Sequence, residues 1–314
     1  MKKAVKLSQK TNGLLNFQDY KKAKYRVVYG IIIFVLVLAV LTALIPIFWL
    51  LITSFKTTDE LYSNIYHLFP KVFDIRKVAQ VWQKANFMRY FLNSAIVAIG
   101  AVVCAVVFNG LFAYATTIVK PKGYKIAHAL VMLSYMIPAV TAIIPLYSNI
   151  IKLGMVNSYV PLMLILGANA FYYVNFRNYF KTIPNSLFEA AKLDGCSDLR
   201  IFASIVVPNS KPIIGVVAIF AMTASWSDFL LPYLILNDQE MYTVMVQIFS
   251  VNATISQGAY TYDEFLMLLM ISILPQLIFF FVFQKQIGRR ILWGIGGTPH
   301  FFGRFRFHGG RRRG

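Results

Sequence analysis

Formal charge is absent from most of this chain, and it is absent in blocks. Residues 27–55, 90–119, 126–151, 153–176 and 265–284 contain no Asp, Glu, Lys or Arg, and residues 212–237 contain only Asp228. Each block is 20 to 30 residues long. A hydrocarbon core about 30 Å thick is crossed by about 20 helical residues, because a helix rises about 1.5 Å per residue. The alternating ten-residue segments of a membrane barrel do not occur. The expectation is therefore an all-α membrane protein with six transmembrane helices. Composition excludes the soluble alternatives: 58% hydrophobic and 14% charged residues stand against about 45–50% and about 25% in soluble domains.

A net charge of +19 on a soluble chain would point to nucleic acid. Here the basic residues sort by loop instead. The tail before residue 27 has 8 Lys+Arg, residues 120–125 have 3, residues 177–211 have 5, and the tail after residue 284 has 8. The alternate loops hold 7 in all, balanced by 7 acids. Positively charged loops stay in the cytoplasm. Both termini are expected there, in a plasma membrane, with no nucleic-acid partner. The first block is too long for a cleavable signal peptide and has no small-residue cleavage site, so it reads as a retained signal anchor.

Prolines 46, 138, 145, 161, 232 and 275 fall inside the blocks. Each removes a backbone donor and bends a helix, through packing or along a lined pathway. Gly100, Ala101, Ala105, Gly110, Ala113 and Ala115 allow close helix contact in the second block. Asp228 is the lone acid within a block, and embedded carboxylates face a bundle interior. The two cysteines and four histidines are scattered. They form no metal or catalytic constellation, so neither an enzyme nor a cofactor or metal site is expected.

The loop between the fourth and fifth blocks, about residues 181–212, reads as two short helices joined by a turn. Ser186-x-x-Glu189 fits a capping box. Gly195 suits a left-handed helix end, Ser197 can cap the second helix, and Pro208 stops it. Leu187, Phe188, Ala191 and Leu193 give an apolar surface, and Ala190 and Ala191 permit close approach. Such a helix suits a groove on a soluble partner or the membrane headgroup region.

Glu189-Ala190-Ala191-x-x-Asp194-Gly195, preceded by Ile183-Pro184-x-Ser186-Leu187 and followed by Phe202, Ile205, Pro208 and Pro212, resembles the EAA loop of permease subunits in ATP-binding-cassette (ABC) importers. Cys196 and Val207 stand where Ala and Leu are common. Ser54-Phe55-Lys56, Tyr90-Phe91-Leu92-Asn93-Ser94 and Trp226-Ser227-Asp228-Phe229-Leu230-Leu231-Pro232 are similar to the smaller-subunit branch of maltose-type carbohydrate permeases. The resemblance covers about residues 27–290.

It implies a six-helix transmembrane domain over 27–290, with cytoplasmic tails at 1–26 and 291–314. Implied partners are a second permease in a heterodimer, two cytoplasmic ABC ATPase subunits, an extracellular solute-binding protein, a sugar substrate and membrane lipid. Glu189, Ala190, Ala191, Asp194 and Gly195 would couple the chain to the ATPases. The implied activity is sugar or oligosaccharide uptake by alternating access, and the alternative is an ion-coupled secondary transporter or channel acting alone. No Gly-x4-Gly-Lys-[Ser/Thr] loop occurs in the sequence, so ATP is expected to be hydrolysed elsewhere.

Sugars offer C–H faces and hydroxyls, which pair with aromatic and hydrogen-bonding side chains. Tyr135, Asn169, Tyr172, Trp226 and Asp228 are the substrate-pathway candidates, with Tyr147, Tyr173 and Tyr233 as further aromatics. Residues 56–89, with Tyr62, Tyr66, Phe69, Phe73 and Trp82, read as a docking loop for the binding protein. The tail 293–314 stays unassigned, with anionic lipid as one partner for its arginines.

Overall fold

The computed structural model describes residues 23–63 and 67–295, with side chains from 27 to 282. Apart from their helical inner ends, the two expected tails lie outside the described residues, as does Tyr66. The elements are α1 (Ala23–Thr53), α2 (Thr58–Leu61), α3 (Arg76–Lys84), α4 (Phe87–Tyr114), α5 (Tyr124–Tyr135), α6 (Ala139–Lys152), α7 (Val160–Gly167), α8 (Ala170–Phe180), α9 (Asn185–Leu193), α10 (Asp198–Ile201), α11 (Val207–Asn209), α12 (Lys211–Ser227), α13 (Leu230–Ile235), α14 (Val244–Thr254) and α15 (Tyr262–Ile295). π-helical turns follow α4 at Ala115–Val119 and join α10 to α11 at Phe202–Val206. No strand occurs among the described residues.

Among the described residues, three helices are individually long and apolar enough to cross a membrane: Val27–Thr53, Phe87–Val119 and Tyr262–Val282. α5 and α6 reach that length only as a pair bent by 110°, and Asp198–Asn209 with α12 only as a pair bent by 82°. The blocks at 126–151, 153–176 and 212–237 are thus interrupted helices, and local chemistry accounts for each break. A proline ring collides with the carbonyl four residues earlier. For Pro138 that residue is Ser134, and α5 ends at Tyr135. For Pro232 it is Asp228, where α12 ends in extended backbone. The break between α7 and α8 has no such proline. There the Asn169 side chain accepts from the Tyr172 amide at 3.2 Å and caps α8.

α4 is the central post, with α7, α8 and α12 packed around it. Ala98, Ala101, Ala105 and Ala113 are fully buried on it. A Cβ at Gly100 would fall on Met163, and one at Gly167 would come within 2.7 Å of Phe108. These positions bear out the small-residue contact read from the second block, since larger side chains would push α4 and α7 apart. Asn109 closes the same interface. Its Nδ2 donates to Ala105 O and Leu166 O, each at 2.8 Å, and its Oδ1 accepts from the Asn169 amide at 3.0 Å. One buried side chain therefore satisfies backbone groups left over at the α7–α8 break, where a membrane offers no water to do so.

The two ends of the bundle differ. At the basic end, α5 starts beside the 115–119 turn and α8 finishes. At the opposite end, α6 finishes against α13, and Ile150, Leu162, Leu231, Ile235 and Leu236 form a small core. Asn93 Nδ2 there holds the carbonyls of Glu240 and Tyr242 at 2.8 and 3.0 Å, and Ser94 Oγ accepts from the Val244 amide at 2.8 Å. Lys77 donates to Ser54 O at 2.8 Å and Lys56 O at 2.6 Å, and pairs with Asp263 at 2.8 Å. This fastens the end of α1 to α3 and α15. None of the apolar window of α1 is buried within the chain.

Candidate functional site

The segment from Ile183 to Ser210 forms a knob at the basic end. α9 starts at Asn185, after Pro184 with φ −59° and ψ 130°. Ser186 therefore lies inside the first turn and makes no capping bond, which corrects the expected Ser186–Glu189 box. A capping serine needs non-helical backbone, and Pro184 occupies that position. The far end of α9 follows the sequence reading. Gly195 has φ +74°, its amide bonds to Lys192 O, and the Cys196 amide bonds to Ala191 O, each at 3.0 Å. That pair of bonds is a Schellman closure, and only glycine takes its left-handed position without strain. Ser197 Oγ accepts from the Arg200 amide at 3.4 Å and starts α10. Lys192 faces Asp198 across the turn at 4.0 Å.

The knob has an inner and an outer side. Phe188 and Ala191 are 5% and 7% exposed. With Ile183, Ile201 and Val206 they enter the core made by Tyr173, Phe176 and Phe180 of α8 and Ile213 and Val217 of α12. Glu189, Ala190, Asp194 and Gly195 are exposed, beside Leu187, Leu193 and Leu199. The apolar surface expected from Leu187, Phe188, Ala191 and Leu193 thus divides: its leucines face out, while Phe188 and Ala191 anchor the helix. The helical spacing of 188 and 191 puts them on one face. Of the two alanines read as permitting close approach, Ala190 is available and Ala191 is not. The π turn at Phe202–Val206 then carries the chain to Pro208, whose missing donor leaves the Ser204 carbonyl without its α-helical partner.

The five pathway candidates are not gathered in one place. Trp226 is buried, donates from Nε1 to Ser272 O at 3.1 Å and meets Phe91 edge-on at 5.2 Å. Tyr172 is buried in the inner core. Asn169 caps α8. These three hold the bundle together. Tyr135 is 55% exposed at the α5–α6 break. Asp228 sits at the α12–α13 break, as the extended C-cap of α12. It lines a cavity of about 40 Å³ with Ser225, Val97, Leu162 and Pro232, room for very few water molecules. Asn109 was missed in the sequence reading, and its place in an otherwise apolar small-residue block was the signal for it.

Residues 106–293 match the family described as binding-protein-dependent transport system inner membrane component. The chain belongs to that family. It is a multi-pass membrane protein and a non-catalytic permease component. The permease is 28% identical over 261 residues to the diacetylchitobiose uptake system permease protein NgcG of Streptomyces coelicolor, covering 82% of this chain and 86% of that one. It is 30% identical over 255 residues to the probable starch degradation products transport system permease protein AmyC of Thermoanaerobacterium thermosulfurigenes, covering 79% and 90%. Its fold matches a chain in the crystal structure of a bacterial ABC transporter involved in import of the acidic polysaccharide alginate. The TM-score is 0.72 at 23% identity, covering 87% of the permease and 99% of that chain.

Proposed function

We propose that this permease is one half of the membrane channel of an ABC importer for a sugar or oligosaccharide, and that its knob is the coupling element for a separate ATPase. The substrate class is supported by relatives named for diacetylchitobiose uptake and for starch degradation products. Six crossings are made by α1, α4, α5 with α6, α7 with α8, α12 with α13, and α15, which leaves both termini and the basic end in the cytoplasm. A second permease completes the pathway, two ATPase subunits grip the two knobs, and an extracellular solute-binding protein delivers substrate to the 56–89 loop.

The mechanism needs a bundle with two arrangements, biased from the cytoplasm. Glu189 pairs with a basic residue in the ATPase cleft, Ala190 lets the cleft wall approach, and Asp194-Gly195 shapes the turn. ATP closes the ATPase pair, the knobs move with it, and the permease pair rocks from inward-open to outward-open. Asp228 with Ser225 at the broken α12–α13, and Tyr135 at the α5–α6 break, are the residues proposed to face the pathway, since interrupted membrane helices place polar groups inside a bundle.

The observation that carries this reading is the division of α9. Its inner residues are packed into the same core as α8 and α12, so force on its outer residues reaches the bundle without slack. The test is Glu189→Lys in the importer reconstituted with its cognate partners. Substrate-stimulated ATPase activity and uptake should both fall at least tenfold, as expected from about 1.4 kcal/mol or more of lost coupling. Unchanged uptake and ATPase activity would remove the coupling role.

A further inference from the structure

At the opposite end of the bundle, basic side chains find acids: Arg76 pairs with Asp74 at 3.2 Å, Lys77 with Asp263 at 2.8 Å, Lys84 with Glu264 at 2.7 Å and Arg89 with Glu240 at 2.6 Å. At the basic end the pattern changes: Lys192–Asp198, at 4.0 Å, is the one ion pair there among the described residues. Lys120, Lys122, Lys125, Arg177 and Lys181 make no ion pair among the described residues. The lysines are exposed, and Arg177 Nε is enclosed with no acceptor.

These cations are held at one corner. Lys120 closes the 115–119 π turn in left-handed backbone, its amide on Ala115 O at 2.8 Å. α5 begins four residues later and packs on that turn and on α8. A hydrogen-bonded chain fixes the spacing. His128 Nδ1 lies 3.0 Å from Tyr173 Oη, which lies 3.0 Å from Thr116 Oγ1, whose hydroxyl donates to Phe112 O at 2.9 Å. That chain ties α5, α8 and the end of α4 together. α5 packs on α8, which carries Arg177 in its last turn and Lys181 at its C-cap. Toward the middle of the membrane from Lys125, exposed Ala129, Leu133 and Met136 follow at helical spacing.

The corner is therefore cationic where it meets the aqueous interface and apolar directly beneath it. We propose that it binds the phosphate headgroup of an anionic glycerophospholipid, with the acyl chains along the exposed side of α5. Unpaired cations at a membrane interface attract anionic headgroups, and a guanidinium beside amines suits a phosphate. This inference rests on the membrane reading alone. It needs neither a sugar nor an ATPase, and it holds for either orientation of the chain.

The test uses the full chain in mild detergent, with short-chain phosphatidylglycerol or phosphatidylcholine added and bound lipid counted by native mass spectrometry. Phosphatidylglycerol should be retained well above phosphatidylcholine. Lys122→Gln/Lys125→Gln, at exposed positions whose loss does not unfold the chain, should weaken phosphatidylglycerol retention about 30-fold. Lys71→Gln/Arg76→Gln, an equal charge change at the opposite end, should leave it unaltered. Equal retention of the two lipids, retention in the first double variant matching wild type, or equal loss in both variants would overturn the proposal. Displacement by millimolar inorganic phosphate would make the corner a soluble-phosphate site and overturn the lipid assignment.

Discussion

Replacing Phe188 by alanine should release the knob from the bundle while leaving the bundle folded. Phe188 is 5% exposed and lies in the core formed by α8, α9 and α12, and truncating a buried phenylalanine costs about 3–5 kcal/mol. The other side of the same helix provides the control. Leu193 is 89% exposed, and a surface truncation changes stability by about 0.5 kcal/mol or less. Two native thiols report on the outcome. Cys196 sits in the knob's turn, half-buried against this core, and Cys104 lies in α4 against Gly167. If about 3 kcal/mol of anchoring is lost, local opening rises and thiol labelling of Cys196 speeds up about 100-fold. Labelling of Cys104 should stay at the wild-type rate. Leu193→Ala should alter Cys196 labelling by about twofold at most. Equal Cys196 labelling in the two variants would refute the anchoring argument. So would Cys104 labelling rising in step with Cys196, since the whole bundle would then be opening.

Asn109→Leu removes one side chain serving three backbone groups at the α4–α7–α8 junction. With buried partners left unsatisfied, it should cost about 2–3 kcal/mol in denaturant unfolding, and a loss under about 0.5 kcal/mol would count against that bridging role. Lys77 and Asp263 are 15% and 12% exposed at the side chain. Lys77→Met or Asp263→Asn should each destabilise by about 3 kcal/mol. The double variant should cost clearly less than the sum, and strict additivity in a double-mutant cycle would show that the pair does not act as a unit.

Charge and periodicity located the helical material well, because any charge in hydrocarbon is costly wherever it falls. They did not locate the interruptions. Pro138 and Pro232 mark breaks, yet Pro46 and Pro275 lie inside continuous α1 and α15. A proline ends a helix only where neighbours can satisfy the freed carbonyl, and that depends on tertiary contacts. The α7–α8 break is set by Asn169 and received by Asn109, 60 residues away, so no local pattern reveals it. In the knob, Gly195 and Ser197 were legible because their roles are set by their own backbone. The inward turn of Ala191 was not, since it depends on where α8 and α12 leave space. Aromatic identity alone did not reveal the packing of Trp226 and Tyr172, which are buried in two different cores of the bundle.

The π turn at Phe202–Val206 holds one residue more than an α turn would take. Each residue of an α-helix advances its direction by about 100°. Removing a single residue there and letting the turn relax would swing α9 about a quarter of the way around the axis of the segment leading to α12. Glu189 would then point elsewhere, with every contact inside α9 still intact. The aim of the proposed coupling surface is thus fixed by chain length at one spot, in discrete steps, and no substitution of side chains can restore it once the count is wrong.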